Sequence, residues 1–147
     1  MNQLPKIVLL VEDNSAHANL FMRCFSEQHT IPYKMFHVSN GEEALNYIYR
    51  RGPYTNPQES PRPDVIFLDL RMPKVDGLSV LTEIKTDEIL RNIPIVVFTT
   101  SDEEKDLTAA YHHYVNSFLI KPMDFDEFLQ MVNAMASYWL QWNRLPE

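Results

Sequence analysis

The sequence predicts an α/β protein: an open, doubly wound, five-stranded parallel sheet with helices on both faces. Three observations carry that prediction. Ile7–Val11 (IVLLV), Val65–Leu68 (VIFL) and Ile95–Phe98 (IVVF) are continuously apolar, as strands covered on both faces of a parallel sheet are. Tyr33–Val38 and Ser117–Ile120 are two weaker strand candidates, which brings the count to five. Amphipathic stretches of helical period lie between the runs, so the chain alternates strand and helix throughout.

In chain order, the first run stops at Glu12. The stretch after it carries Phe21, Cys24 and Phe25 on one helical stripe, where Cys24 reads as a small buried hydrophobe. After the second strand, Asn40 precedes Glu43 by three residues, an N-cap with a reaching carboxylate. Ala44, Leu45, Ile48 and Tyr49 form the stripe of that helix. Arg51–Pro63 (RGPYTNPQESPRP) is the clearest loop, with four prolines in thirteen residues, and is longer than most strand–helix connections. Val80, Leu81 and Ile84 mark the third helix, and Ser101 before Glu104 and Asp124 before Glu127 are start signals for the fourth and fifth. Phe128, Val132, Met135 and Trp139 stripe the last helix.

A chain of 147 residues fits one domain able to bury a substantial core, so residues 1–147 are expected to form one unit. No linker or repeat divides it, and no output domain is expected. Thirteen basic against twenty acidic residues give a net charge of −7, which argues against a nucleic-acid surface because phosphate contacts need clustered Lys and Arg. No apolar run approaches the roughly 18–20 residues of a membrane span, so no membrane partner is expected and the protein should stay in the cytoplasm. Cys24 is the single cysteine, which rules out an intrachain disulfide and suits a reducing compartment.

The chemistry-bearing residues sit at the carboxyl ends of the predicted strands, where open α/β sheets bind ligands. Glu12 and Asp13 follow the first strand, Asp69 the third, Thr99 and Thr100 the fourth, and Lys121-Pro122 the fifth. One sheet edge gathers them. Three carboxylates placed together repel one another unless a cation or protons compensate. An all-oxygen cluster without His or Cys favours a hard cation such as Mg²⁺. A carboxylate can attack a phosphoryl group to form an acyl phosphate, with the cation, an ammonium and a hydroxyl balancing the charge on the phosphoryl oxygens. Asp69 is the best nucleophile because it ends the central strand, between the acidic pair and the Thr and Lys. Each residue alone is more often a cap or surface charge; the conjunction at four strand ends is the signal.

The motifs VEDN (Val11–Asn14), FLDLRMPKVDG (Phe67–Gly77), VVFTTS (Val96–Ser101) and FLIKP (Phe118–Pro122), in that order and at their intervals, resemble the receiver domain of two-component response regulators over roughly residues 5–135. The resemblance implies a flavodoxin-like sheet of strand order 2-1-3-4-5. It implies that Asp69 takes a phosphoryl group from a phosphohistidine on a sensor histidine kinase. Asp13 and the main-chain carbonyl of Arg71 would bind Mg²⁺, with Glu12 acting on a metal water. Thr99 would bond the phosphoryl group and move with it, Phe118 would turn inward as the switch aromatic, and Lys121 would pair with the phosphoryl charge across a cis bond to Pro122. The face of the fourth helix, fifth strand and fifth helix would then change for a partner or for self-association.

Three features depart from the commonest pattern of that family. The acidic pair is Glu-Asp rather than Asp-Asp. Thr100 stands where a small Ala or Ser is usual, and its bulk would narrow water access and alter the lifetime of the acyl phosphate. Phe118 lacks a hydroxyl. The proline-rich insertion and the aromatic tail, Tyr138, Trp139, Leu140, Trp142 and Leu145, resemble single-domain regulators paired with phytochrome-type sensor kinases. That tail, an extension of the last helix over about 136–147, either completes the core or covers a symmetric dimer interface.

Other classes fare less well. An aspartate-dependent phosphohydrolase would want a second acid two residues after its nucleophile, where this chain has Arg71. A nucleotide-binding protein of similar fold would need a Gly-rich phosphate loop, and the only glycines are Gly41, Gly52 and Gly77. A receiver that never meets phosphate would not need every main site residue. The expected activity is therefore a switch, not an enzyme.

Overall fold

The three continuously apolar runs become the three inner strands of the sheet. In the computed structural model, which describes residues 4–27 and 31–146, β1 (Lys6–Val11), β3 (Val65–Leu68) and β4 (Ile95–Thr99) are flanked by β2 (Tyr33–Val38) and β5 (Ser117–Ile120). All pairings are parallel and the order is β2-β1-β3-β4-β5. Edge strands cover only one neighbour, which is why β2 and β5 carry half-exposed and polar residues and read weakly in the sequence.

The inner strands divide their side chains between two cores, as period two requires. Val8, Leu10, Val65, Phe67, Val96 and Phe98 face α1 (Ser15–Ser26) and α5 (Phe125–Ala136), packing on Phe21, Phe25, Phe128 and Val132. Leu9, Val11, Ile66, Leu68, Ile95 and Val97 face α2 (Gly41–Ile48), α3 (Gly77–Thr86) and α4 (Glu104–His112). Apart from Lys6 and Ile7 at the start of β1, which are partly exposed, neither face of these strands meets water, so no polar residue interrupts the runs. Each fully buried Phe, Leu or Ile contributes about 1.5–3 kcal/mol.

Helix starts follow local chemistry with one exception. Asn40 Oδ1 accepts from the Glu43 amide at 2.8 Å and Asp124 Oδ2 from the Glu127 amide at 3.0 Å, while Asn14 and Asp76 cap α1 and α3 in the same way. Ser101 does not cap α4. That helix begins at Glu104 without a side-chain cap, because the Ser101 hydroxyl is drawn to Asp106 Oδ2 at 2.5 Å. On α2 the inward aromatic is Tyr47 and not Tyr49, since the helix ends at Ile48. The Tyr47 hydroxyl donates to Pro61 O at 2.7 Å and so ties the proline-rich loop to the body of the fold.

The last helix changes character where the aromatic tail begins. Regular α-helix ends at Ala136, and Ser137–Trp142 form a π-helical turn closed by Asn143 N–H donating to Tyr138 O at 2.7 Å. Leu140 is buried against the α1–α5 core and Trp139 packs beside it, whereas Tyr138 and Trp142 are exposed. Two glycines allow close approach around the loop between β3 and α3. A Cβ on Gly41 would lie 1.9 Å from Val75 O, and one on Gly77 would lie 2.2 Å from Asp69 O. Only glycine fits at either place. Among the described residues no helix is long and apolar enough to cross a membrane.

Candidate functional site

Ladder hydrogen bonds continue one residue past the strands and set the site's residues side by side. Glu12 N–H donates to Val38 O at 3.1 Å, Asp69 N–H to Val11 O at 3.1 Å, and Lys121 N–H to Thr99 O at 2.7 Å. Glu12, Asp69, Thr99 and Lys121 are all buried, although each is polar or charged. Burial of four such groups is tolerable only because they satisfy one another.

Asp69 lies at the centre. Its Oδ1 accepts from the Thr99 hydroxyl at 2.7 Å and from the Arg71 amide at 3.3 Å, and its Oδ2 accepts from Lys121 Nζ at 3.3 Å. Lys121 also donates to Glu12 Oε1 in a close contact, and its Nζ sits 6.0 Å from the centre of the Phe98 ring. Glu12 Oε2 accepts from the Asn14 amide at 3.1 Å. Burial, reinforced by the Asp69 charge, pushes Glu12 up to about 7 against the pull of Lys121.

Carboxylate oxygens of Glu12, Asp13 and Asp69 all lie within 4.8 Å of one another, and Asp13 is exposed. Such a donor set, oxygen only and open to solvent on one side, fits a hard divalent cation.

The remaining sequence candidates fall around this centre. Thr100 is exposed, and Phe118 is partly buried against the core of α2, α3 and α4. The Lys121–Pro122 bond is trans, contrary to the expected cis form, since the described residues contain no cis peptide. Trans is the lower-energy isomer for X–Pro by about 0.5–1 kcal/mol, and Lys121 reaches both carboxylates with it.

Two features escaped the sequence. His17, in the first turn of α1, brings Nδ1 to 3.1 Å from Lys121 Nζ. Arg71 turns its guanidinium away from Asp69 and onto α4, at 2.5 Å from Asp106 Oδ2 and 3.3 Å from Glu103 Oε1. Asp106 also accepts from Ser101, whose amide donates to Thr99 Oγ1 at 3.3 Å. The only sequence signal for His17 was its register, three residues after the Asn14 cap.

The family model for the response regulator receiver domain matches residues 8–133. This chain belongs to the receiver family. The probable methanogenesis regulatory protein FilR2 of Methanothrix harundinacea is 46% identical over 97% of this chain and 88% of its own length. Response regulator Rcp1 of Synechocystis sp. is 39% identical over 97% of this chain and 94% of its own. The crystal structure of its Mn(2+)-bound form superposes with a TM-score of 0.90, over 97% of this chain and all of that one. The phosphorylated cyanobacterial phytochrome response regulator RcpA gives a TM-score of 0.91 at 38% identity, covering 98% of this chain and 100% of RcpA. Receiver domains are signalling modules phosphorylated on an aspartate by histidine kinases, and divalent-metal binding is a property of the family that the acidic cluster here fits.

Proposed function

We propose that this receiver takes its phosphoryl group on Asp69, with Mg²⁺ as the cation, and passes the signal on by a change of surface. The observation that carries the assignment is the dressing of Asp69, with a hydroxyl on one oxygen and an ammonium on the other. An Asp69 oxygen attacks phosphorus, the phosphohistidine P–N bond breaks, and the imidazole leaves. The Thr99 hydroxyl and Lys121 ammonium, already aimed at the carboxylate, turn to phosphoryl oxygens and offset their charge. Mg²⁺, held by Asp13, Asp69 and the Arg71 carbonyl, would screen the charge of the transferred group. Both Glu12 oxygens already accept donors, which supports a role for Glu12 through a metal-bound water.

On this reading Thr99 and Thr100 belong to the switch, together with Phe118, which moves further inward as Thr99 is drawn to the phosphoryl group. The output face comprises α4, β5 and α5, where Tyr111, Ile120 and Phe125 stand exposed. The donor is a sensor histidine kinase, and the likeness to RcpA supports one of phytochrome type. Residues 1–147 act as one cytoplasmic receiver unit with an aromatic extension, and exposed Tyr138 and Trp142 are its self-association surface.

Intact mass after incubation with acetyl phosphate and Mg²⁺ tests the assignment. A single labile adduct is expected on the wild type, and none on Asp69→Asn or without Mg²⁺. Labelling of Asp69→Asn to the same extent would move the acceptor elsewhere.

A further inference from the structure

We infer that His17 is a positioning residue of the phosphoryl site, acting through Lys121 as a neutral hydrogen-bond acceptor. The inference rests on the proposed function and extends it to a residue on a different element.

A lysine ammonium has three donors and no acceptor. Lys121 places one on Glu12 Oε1, one on Asp69 Oδ2 and the third on His17 Nδ1 at 3.1 Å. The His17 nitrogen must therefore present its lone pair, which puts the imidazole proton on Nε2. Burial and the Lys121 charge both hold His17 below its ordinary pKa, in keeping with a neutral ring.

The placement follows from the start of α1. Asn14 caps the helix by accepting the His17 amide at 3.0 Å, and helix side chains lean toward the N-terminus. The ring is thereby directed over the strand ends. The cavity lined by Glu12, His17, Phe98 and Lys121 measures about 10 Å³, at the lower limit for one water. Glu12, Asp69 and His17 thus form a tripod beneath the ammonium. When Asp69 carries the phosphoryl group as an acyl phosphate, Glu12 and His17 keep Nζ in place for the phosphoryl oxygen.

The test compares the initial rate of phosphorylation by acetyl phosphate in the wild type, His17→Leu and His17→Asn. Leucine fills the space without an acceptor. Asparagine puts Oδ1 close to where Nδ1 stands. His17→Leu should lose about tenfold in rate, the scale of one hydrogen bond to a charged group, and His17→Asn should recover most of it. In a Lys121→Ala background, His17→Leu should cost nothing further, because the effect passes through the ammonium. Equal rates for wild type and His17→Leu, an unchanged loss in the Lys121→Ala background, or no recovery with asparagine would each overturn the inference. A long-range ¹H–¹⁵N spectrum reads the tautomer without any phosphoryl transfer. It should show the proton on Nε2, with Nδ1 shifting on Lys121→Ala; the opposite tautomer would refute the contact. An unlabelled wild type would overturn the phosphoacceptor reading as well, whereas a labelled wild type matched by His17→Leu would overturn this inference alone.

Discussion

Glu12 shares the site's polar core with Asp69, and its protonation sets a pH dependence of known sign. Its ordinary value is 4.5 and its folded value about 7. Between those values the folded chain holds a proton that the unfolded chain has released. Stability without divalent cations therefore falls as pH rises through that window, and the whole penalty is present above it. Urea unfolding of the metal-free protein at about pH 5 and about pH 7.5 should show a loss of about 1–3 kcal/mol that Glu12→Gln lacks. A divalent cation needs the ionised carboxylate, so its affinity should rise over the same window. Calorimetric titration that gave a flat affinity would separate Glu12 from the cation.

At the scale of elements, helix ends carry local strain that a substitution can relieve. Two helices end on residues in the left-handed region, Arg50 (φ 55°) after α2 and Tyr114 (φ 67°) after α4. Arg51 N–H returns to Asn46 O at 2.8 Å and Val115 N–H to Ala110 O at 3.1 Å, the six-to-one bond of a Schellman turn. Glycine is the usual occupant there. Tyr114 is exposed, so Tyr114→Gly should stabilise the fold by about 0.5–1 kcal/mol, read as a melting temperature higher by about 1–4 °C. A lower melting temperature would show that the ring contributes more than the backbone strain costs. At the other end of the chain, the tail is divided by burial. Leu140→Ala should cost about 2–4 kcal/mol with little effect on self-association. Trp142→Ala should leave stability within about 0.5 kcal/mol and weaken any dimer detected by sedimentation. The opposite pattern would exchange the two roles.

For the molecule as a whole, strand positions and sheet type were legible because inner parallel strands expose neither face, and IVLLV, VIFL and IVVF carry that fact in full. The groups clustered at the site could be listed for a related reason, since a parallel sheet gathers every strand's carboxyl end on one edge. Side-chain hydrogen bonding was not legible. His17 on Lys121 and Arg71 on Asp106 depend on how α1 and α4 sit against the sheet, which local sequence does not encode. Ser101 misled differently: its spacing to Glu104 imitates a cap, while Asp106, five residues on, took its hydroxyl. The same gathering has a consequence for synthesis. The Lys121–Glu12 contact spans 109 positions of chain, so the cluster at the strand ends closes only when the last strand joins the first four. At the translation rate of about 5–20 residues per second, an emerging chain passes through seconds in which Asp69 exists without its ammonium. On the proposed assignment, a phosphoryl group taken by a ribosome-bound chain would lack the ammonium that offsets its charge until the sheet is complete.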